Sequence, residues 1–161
     1  MERADRAAAV IRLDHVANPS FDPAATHAFY TGVLDAPLTL AVSGVADDGA
    51  RYLVVEYAFG GVSLAFLTYA GMRRGDDGLP DDIRHVAFTV HDAAELERWT
   101  ARFAAAGVQT RTELHGEGDP HVYAFDPNGV VLEFALPDLT GAGTAERAAA
   151  TLRAWLAESS R

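Results

Sequence analysis

Cysteine is absent from the 161 residues, which excludes a disulfide framework and any thiolate metal site. Redox chemistry therefore does not decide the compartment. No apolar run approaches the roughly 20 residues that a membrane span needs. The start of the chain, Met1 to Ala9, is too charged for a signal peptide, and its apolar part is too short. Positive charge is also scarce, with 13 Lys+Arg against 23 Asp+Glu and a formal net charge of −10. That balance speaks against nucleic acid or an anionic membrane as partner, because both call for a basic face. A soluble, cytoplasmic protein is expected. Hydrophobic residues make up 49% of the chain and charged residues 22%, close to globular averages. The length suffices for one domain with a sizeable core. The wealth of Ala, Arg, Asp and Gly is that of high-GC bacterial genomes.

Local patterns divide the chain into two similar halves. Residues 2–9 read as a short helix or lead-in. Ile11 to Ala17 reads as a strand in which Ile11, Leu13 and His15 share one side. Asp22 is the expected N-cap of a helix from about Ala24 to Leu34, with Pro23 at its first position. Strands follow at Pro37–Val42, Arg51–Phe59 and Val62–Thr68, the last two joined by the turn Gly60-Gly61. Tyr69 to Asp82 has no apolar periodicity and reads as a linker. The second half opens with a strand, Ile83–Val90. A helix then starts at Asp92, with Glu95 three residues on as in a capping box. Gly107 ends that helix, Val108–Leu114 is a strand, and His115 to Pro120 a loop. An amphipathic helix at about 143–159 closes the chain, with Ala148, Leu152, Trp155 and Leu156 on one face.

The halves repeat in residues as well as in elements. His15-Val16-Ala17 matches His85-Val86-Ala87, 70 positions later. Gly61-Val-Ser-Leu-Ala65-Phe66 matches Gly129-Val-Val-Leu-Glu133-Phe134, 68 positions later. Two βαβββ units are the economical reading, 11–68 and 83–136, with 69–82 between them. Neither unit can bury its sheet alone. Together they give an α+β fold: a curved mixed sheet, helices outside, around a concave cleft.

The stretch His121 to Phe134 stands out within this pattern. Asp126-Pro127-Asn128-Gly129 supplies a turn between two strands. Glu133 is the lone charge from Gly129 to Leu136, on a strand that should otherwise be buried. A carboxylate there needs a cation, a metal or a proton. Alternation with Val16, Val86 and Leu132 turns His15, His85 and Glu133 toward the concave side. Two imidazoles and a carboxylate form the facial set that suits Fe(II), Mn(II), Co(II) or Ni(II), with Zn(II) as a further candidate. Tyr123 and His121 share a strand face and are candidate catalytic groups, His121 as a proton shuttle. His115 sits at the expected mouth.

The paired βαβββ pattern, a His in the first strand of each unit, and Asp-Pro-Asn-Gly-x-x-x-Glu together resemble the vicinal oxygen chelate superfamily. That group includes glyoxalase I, methylmalonyl-CoA epimerase, type I extradiol dioxygenases, and the fosfomycin and bleomycin resistance proteins. The resemblance covers roughly residues 11–136. It implies that the first strands of the two units pair near the middle of the sheet, that the chain is a homodimer, and that the substrate is a small molecule with vicinal oxygens. It also implies a fourth ligand, Glu or Gln, at the end of the first unit in isomerases and lyases. Here that position is Ala65. Parity with Tyr57 and Leu64 is expected to send Glu56 away from the concave face, while Ser63 points inward but is a poor ligand. Three protein ligands favour an Fe(II) oxygenase of the extradiol type. The alternatives are a glyoxalase-like isomerase, lyase or epimerase, and a metal-free antibiotic-binding resistance protein.

Overall fold

The computed structural model describes residues 12–75, 78–80, 83–115, 118–137 and 145–159. The expected lead-in at 2–9, the strand start at Ile11, linker positions 76–77 and 81–82, and helix positions 143–144 lie outside the described residues.

The first unit runs β1 (His15–Pro19), α1 (Pro23–Ala28), β2 (Leu38–Val45), β3 (Arg51–Phe59) and β4 (Val62–Tyr69). The second runs β5 (His85–Thr89), α2 (Ala93–Ala105), β6 (Thr110–His115), β7 (Asp119–Phe125) and β8 (Val131–Ala135), and α3 (Ala145–Ser159) follows. Both unit helices begin where the side chains dictate. The Asp22 carboxylate accepts from the backbone N–H of Ala24 and of Ala25, each at 3.0 Å, with Pro23 at the first helical position. Asp92 accepts from Glu95 N–H at 2.8 Å, while Glu95 reaches back to His91 N–H at 2.7 Å. The first helix differs from expectation at its end. From Phe29 to Val33 it widens into a π turn, closed by Leu34 N–H on Phe29 carbonyl at 3.2 Å. The wider turn lets two adjacent aromatics, Phe29 and Tyr30, both enter the core.

Each unit builds its own four-stranded mixed sheet, in the orders β1-β4-β3-β2 and β5-β8-β7-β6. The first strands do not pair with one another among the described residues, a correction to the expected central pairing. Each instead runs parallel to the last strand of its own unit. The ladders match: Ala17 stands opposite Ala65 and Ala87 opposite Glu133, so Ala65 does occupy the register position of Glu133.

The two units are joined by a reciprocal exchange. The β3–β4 turn of the first unit packs on the second, with Phe59 edge-on to Phe88 at 4.8 Å and to Trp99 at 5.6 Å. Gly60, at φ +58°, lies directly on the Phe88 ring, where a Cβ would collide. The β7–β8 turn of the second unit packs on the first helix: Tyr30 O–H donates to Asp126 at 3.2 Å. Asn128 accepts from Phe21 N–H at 2.9 Å and donates to Thr26 Oγ1 at 2.9 Å. One hydrophobic core spans both units, from Tyr30, Tyr57 and Phe66 to Phe103, Leu132 and Phe134. The opposite faces of β1 and β5 stay open, with His15, Ala17, His85 and Ala87 exposed.

Candidate metal centre and carboxylate site

Glu133 lies on β8 between Leu132 and Phe134, both in the core, and alternation turns it to the open side. It is 7% exposed. Its two oxygens are engaged by different groups. His85 Nε2 stands 2.8 Å from Oε2, reaching diagonally across the parallel β5–β8 ladder. His121 directs Nδ1 at Oε1 in a close contact, and the Tyr123 hydroxyl donates to the same oxygen at 3.2 Å. Tyr123 is the direct cross-strand partner of Glu133, which sets that contact.

Burial first, and then the charge and hydrogen bond of Glu133, push the Tyr123 hydroxyl up to about 12. Tyr123 therefore remains a hydrogen-bond donor at neutral pH. Since its proton points at Glu133, the hydroxyl oxygen accepts from His115 Nε2 at 3.1 Å. His115 stacks on His121 at 4.1 Å between ring centroids, and its Nε2 lies 3.5 Å from Glu113. Arg111 sits over the Tyr123 ring at 5.3 Å and pairs with Glu113 at 3.0 Å. Sequence reasoning placed His115 in a loop at the mouth. It is the last residue of β6 and part of this chain of contacts.

Of the residues named from the sequence, His85, Glu133, Tyr123 and His121 come together. His15 does not join them in the single chain. It is exposed on the other sheet, with Nδ1 2.8 Å from Asp14. Among the described residues no group of three or more His, Cys, Asp or Glu is disposed to hold a metal ion. His85 and Glu133 are both of metal-ligand type. Their 2.8 Å separation is that of a charge-assisted hydrogen bond, and a tetrahedral ion at about 2.1 Å from each would set them about 3.4 Å apart, so a bound ion would replace this contact.

One residue was misplaced by parity. Glu56 was expected to face away from the open side. Tyr57 and Leu64 are core residues at 0% and 1% exposure, so their neighbours Glu56 and Ser63 share the open side. Ser63 O–H donates to Glu56 Oε2 at 2.7 Å. The signal was present: a two-residue turn at Gly60-Gly61 puts Phe59 opposite Val62, and hence Glu56 opposite Ala65.

A cavity of about 800 Å³ opens between the units, lined among others by Val16, Asn18, Arg74, Arg84, Val86 and Asn128. His85 also lines it, whereas Glu133, Tyr123 and His121 do not. No helix among the described residues is long and apolar enough to cross a membrane.

The same architecture recurs in solved structures. A lactoylglutathione lyase from Agrobacterium tumefaciens superposes with a TM-score of 0.60 at 23% identity, over 81% of this chain and 96% of that one. A glyoxylase/bleomycin resistance protein/dioxygenase domain from Frankia gives 0.62 at 22% identity, over 81% and 94%. The fosfomycin resistance protein FosX from Listeria monocytogenes, in complex with Mn(II) and a dihydroxypropylphosphonic acid, gives 0.60 at 18% identity, over 81% and 95%. Among curated proteins, none matches the chain. Residues 12–134 match the family model for these proteins, and the chain belongs to the glyoxalase/bleomycin resistance protein/dioxygenase superfamily.

Proposed function

We propose that the chain is a divalent-metal-dependent enzyme acting on a small molecule with two adjacent oxygens, and that His85 and Glu133 hold the metal together with His15 of a second copy. The observation that carries this reading is Glu133. A carboxylate at 7% exposure on a core strand, with an imidazole nitrogen 2.8 Å from one of its oxygens, is costly to keep without a cation. Two features support a second copy as the source of the third ligand. His15 lies on an open face at the register position of His85, apart from it in the single chain. The edge strand β2 exposes Leu38, Leu40, Val42 and Val45, a long apolar edge that a soluble protein ordinarily covers.

When bound, the ion would polarise the substrate oxygens and favour their ionised form. The protein groups then have distinct tasks. Tyr123 donates to Glu133 and fixes the carboxylate's orientation. His121, with its side chain 21% exposed and Nδ1 against Glu133, would hold and release the transferred proton beside the carboxylate. Ala65 at the register position of Glu133 favours an Fe(II) oxygenase of the extradiol type, because it leaves coordination positions open for substrate and O₂. Glu56 on the same face favours the second reading, a glyoxalase-like isomerase, lyase or epimerase that moves a proton.

Elemental analysis of untagged protein tests the common claim, with about one iron, nickel, manganese or zinc per chain expected. O₂ uptake with a catechol panel after anaerobic Fe(II) loading then separates the oxygenase from the proton-transfer enzyme. A protein that takes up no metal, and whose melting temperature is indifferent to EDTA, is a metal-free binder and refutes the proposal.

A further inference from the structure

The geometry points to a second ligand site, distinct from the metal centre: the cavity between the units receives a small organic anion, a carboxylate carried on an apolar body. Its volume of about 800 Å³ is that of small-molecule sites. It lies between two sheet edges, since β1 and β5 are the outer strands of their sheets and do not pair with one another among the described residues. Its strand walls come from the half-buried rows that pack toward the core. Val16 and Asn18 share that face of β1, and Val86 holds the matching place on β5. Ala17, Ala87 and Glu133, on the open face, do not line it. His85 borders both sites.

Three donor groups line this space: Arg74, Arg84 and Asn18. No carboxylate lines it among the described residues. Arg74 lies flat on the β7–β8 turn. A Cβ on Gly129 would meet its Cζ at 2.4 Å and its two terminal nitrogens at 2.4 and 2.5 Å. Near-equal distances mean that the face of the guanidinium rests on the glycine, a contact that uses none of its N–H donors. With five donors, a guanidinium can serve groups of its own chain and a ligand together. Asn18 Nδ2 is buried and has no hydrogen-bond partner among the described residues. A stranded donor of that kind is uncommon, and an acceptor relieves its cost. Much of the remaining wall is apolar, from Val16, Phe21, Leu79, Val86 and Val130. An oxyanion answers the guanidiniums and the amide, and an apolar body answers the wall.

The test uses the full-length chain and benzoate, titrated by ligand-observed NMR in EDTA and again with Mn(II). Benzamide serves as the neutral isostere, and inorganic phosphate as an anion without the body. Benzoate is expected to bind equally in both buffers, with a dissociation constant of about 0.1–1 mM for a ligand of that size. Benzamide and phosphate should each bind at least about tenfold more weakly. Arg74→Gln and Arg84→Gln should each weaken benzoate about tenfold. Asn18→Leu should weaken it about threefold yet raise the melting temperature of the free protein, because it deletes a buried donor that lacks a partner. Circular dichroism checks that the variants fold, and the comparison of benzoate with benzamide needs none of them. Benzoate that binds no better than benzamide shows that the guanidiniums serve only the chain itself, and overturns the proposal. Benzoate that binds only with Mn(II) lies at the metal centre, which overturns the separate site and leaves the metal reading standing.

Discussion

Replacing Asn128 by Ala should loosen the joint between the two units and, with it, the strand that carries Glu133. Asn128 is 4% exposed. Its Oδ1 accepts from Phe21 N–H at 2.9 Å, and its Nδ2 donates to Thr26 Oγ1 at 2.9 Å and to Asp126 at 3.1 Å. The first two bonds cross between units. Thr26 Oγ1 also gives its own proton to the Asp22 carbonyl at 2.8 Å and lies 2.9 Å from Ser20 Oγ, so it keeps partners when Asn128 is lost. Phe21 N–H does not keep its side-chain acceptor. A stranded backbone donor costs about 1–3 kcal/mol, and each satisfied bond that is removed about 0.5–1.5 kcal/mol. With the Phe21 donor and the bonds to Thr26 and Asp126 all lost, the sum is about 2–6 kcal/mol, a large part of the roughly 5–15 kcal/mol that holds a domain together. For a chain of this size each kcal/mol lowers Tm by about 2–4 °C, so a fall of about 8–16 °C is expected at the middle of the range. Urea unfolding of the wild type, Asn128→Ala, Thr26→Val and the double variant measures both the loss and the coupling. A coupling above about 0.5 kcal/mol is expected for residues in direct contact. Asn128→Asp should be worse than Ala at pH 7, because it sets a second carboxylate beside buried Asp126, and should recover as pH falls. A loss below about 0.5 kcal/mol, or strict additivity with Thr26→Val, would refute the claim that this network joins the units.

Other consequences can be measured separately. Phe59→Ala removes edge-on contacts with Phe88, Trp99 and Phe134 and should cost about 2–4 kcal/mol in urea unfolding, less than a fully buried Phe because Phe59 is only half-buried. Tyr123 titrates higher in the folded protein than unfolded, so its contribution to stability is complete below about pH 10 and declines as pH rises toward 12. Tyr123→Phe should flatten the alkaline fall in the urea midpoint, and an unchanged slope would contradict the assignment. Asp92, held below the usual carboxylate range by Glu95 N–H, acts in the opposite sense. Its contribution is present at neutral pH and disappears as pH falls below about 4, so Asp92→Asn should show a shallower acid limb. Gly60→Ala combines a strained φ of +58° with a clash on Phe88 and should lower Tm more than Gly49→Ala, where nothing stands nearby.

The sequence alone determined the repeat, the order of elements, the capped helix starts and the isolation of Glu133. It even determined the register of each hairpin, and thereby the facing of Glu56, although parity taken from the wrong face hid it. These features are local: alternation has a period of two, a two-residue turn sets its own pairing, and a capping carboxylate acts within three residues. Tertiary structure alone decided that the ladders close into two sheets, that His121 rather than His15 reaches Glu133, and that Asn128 serves the neighbouring unit as well as its own turn. Each of those outcomes depends on how one unit packs against the other. Phe59 must find Trp99, and Tyr30 must find Asp126, across 40 to 96 residues of chain. No short-range pattern specifies a meeting at that separation; the shape and burial of the assembled core do.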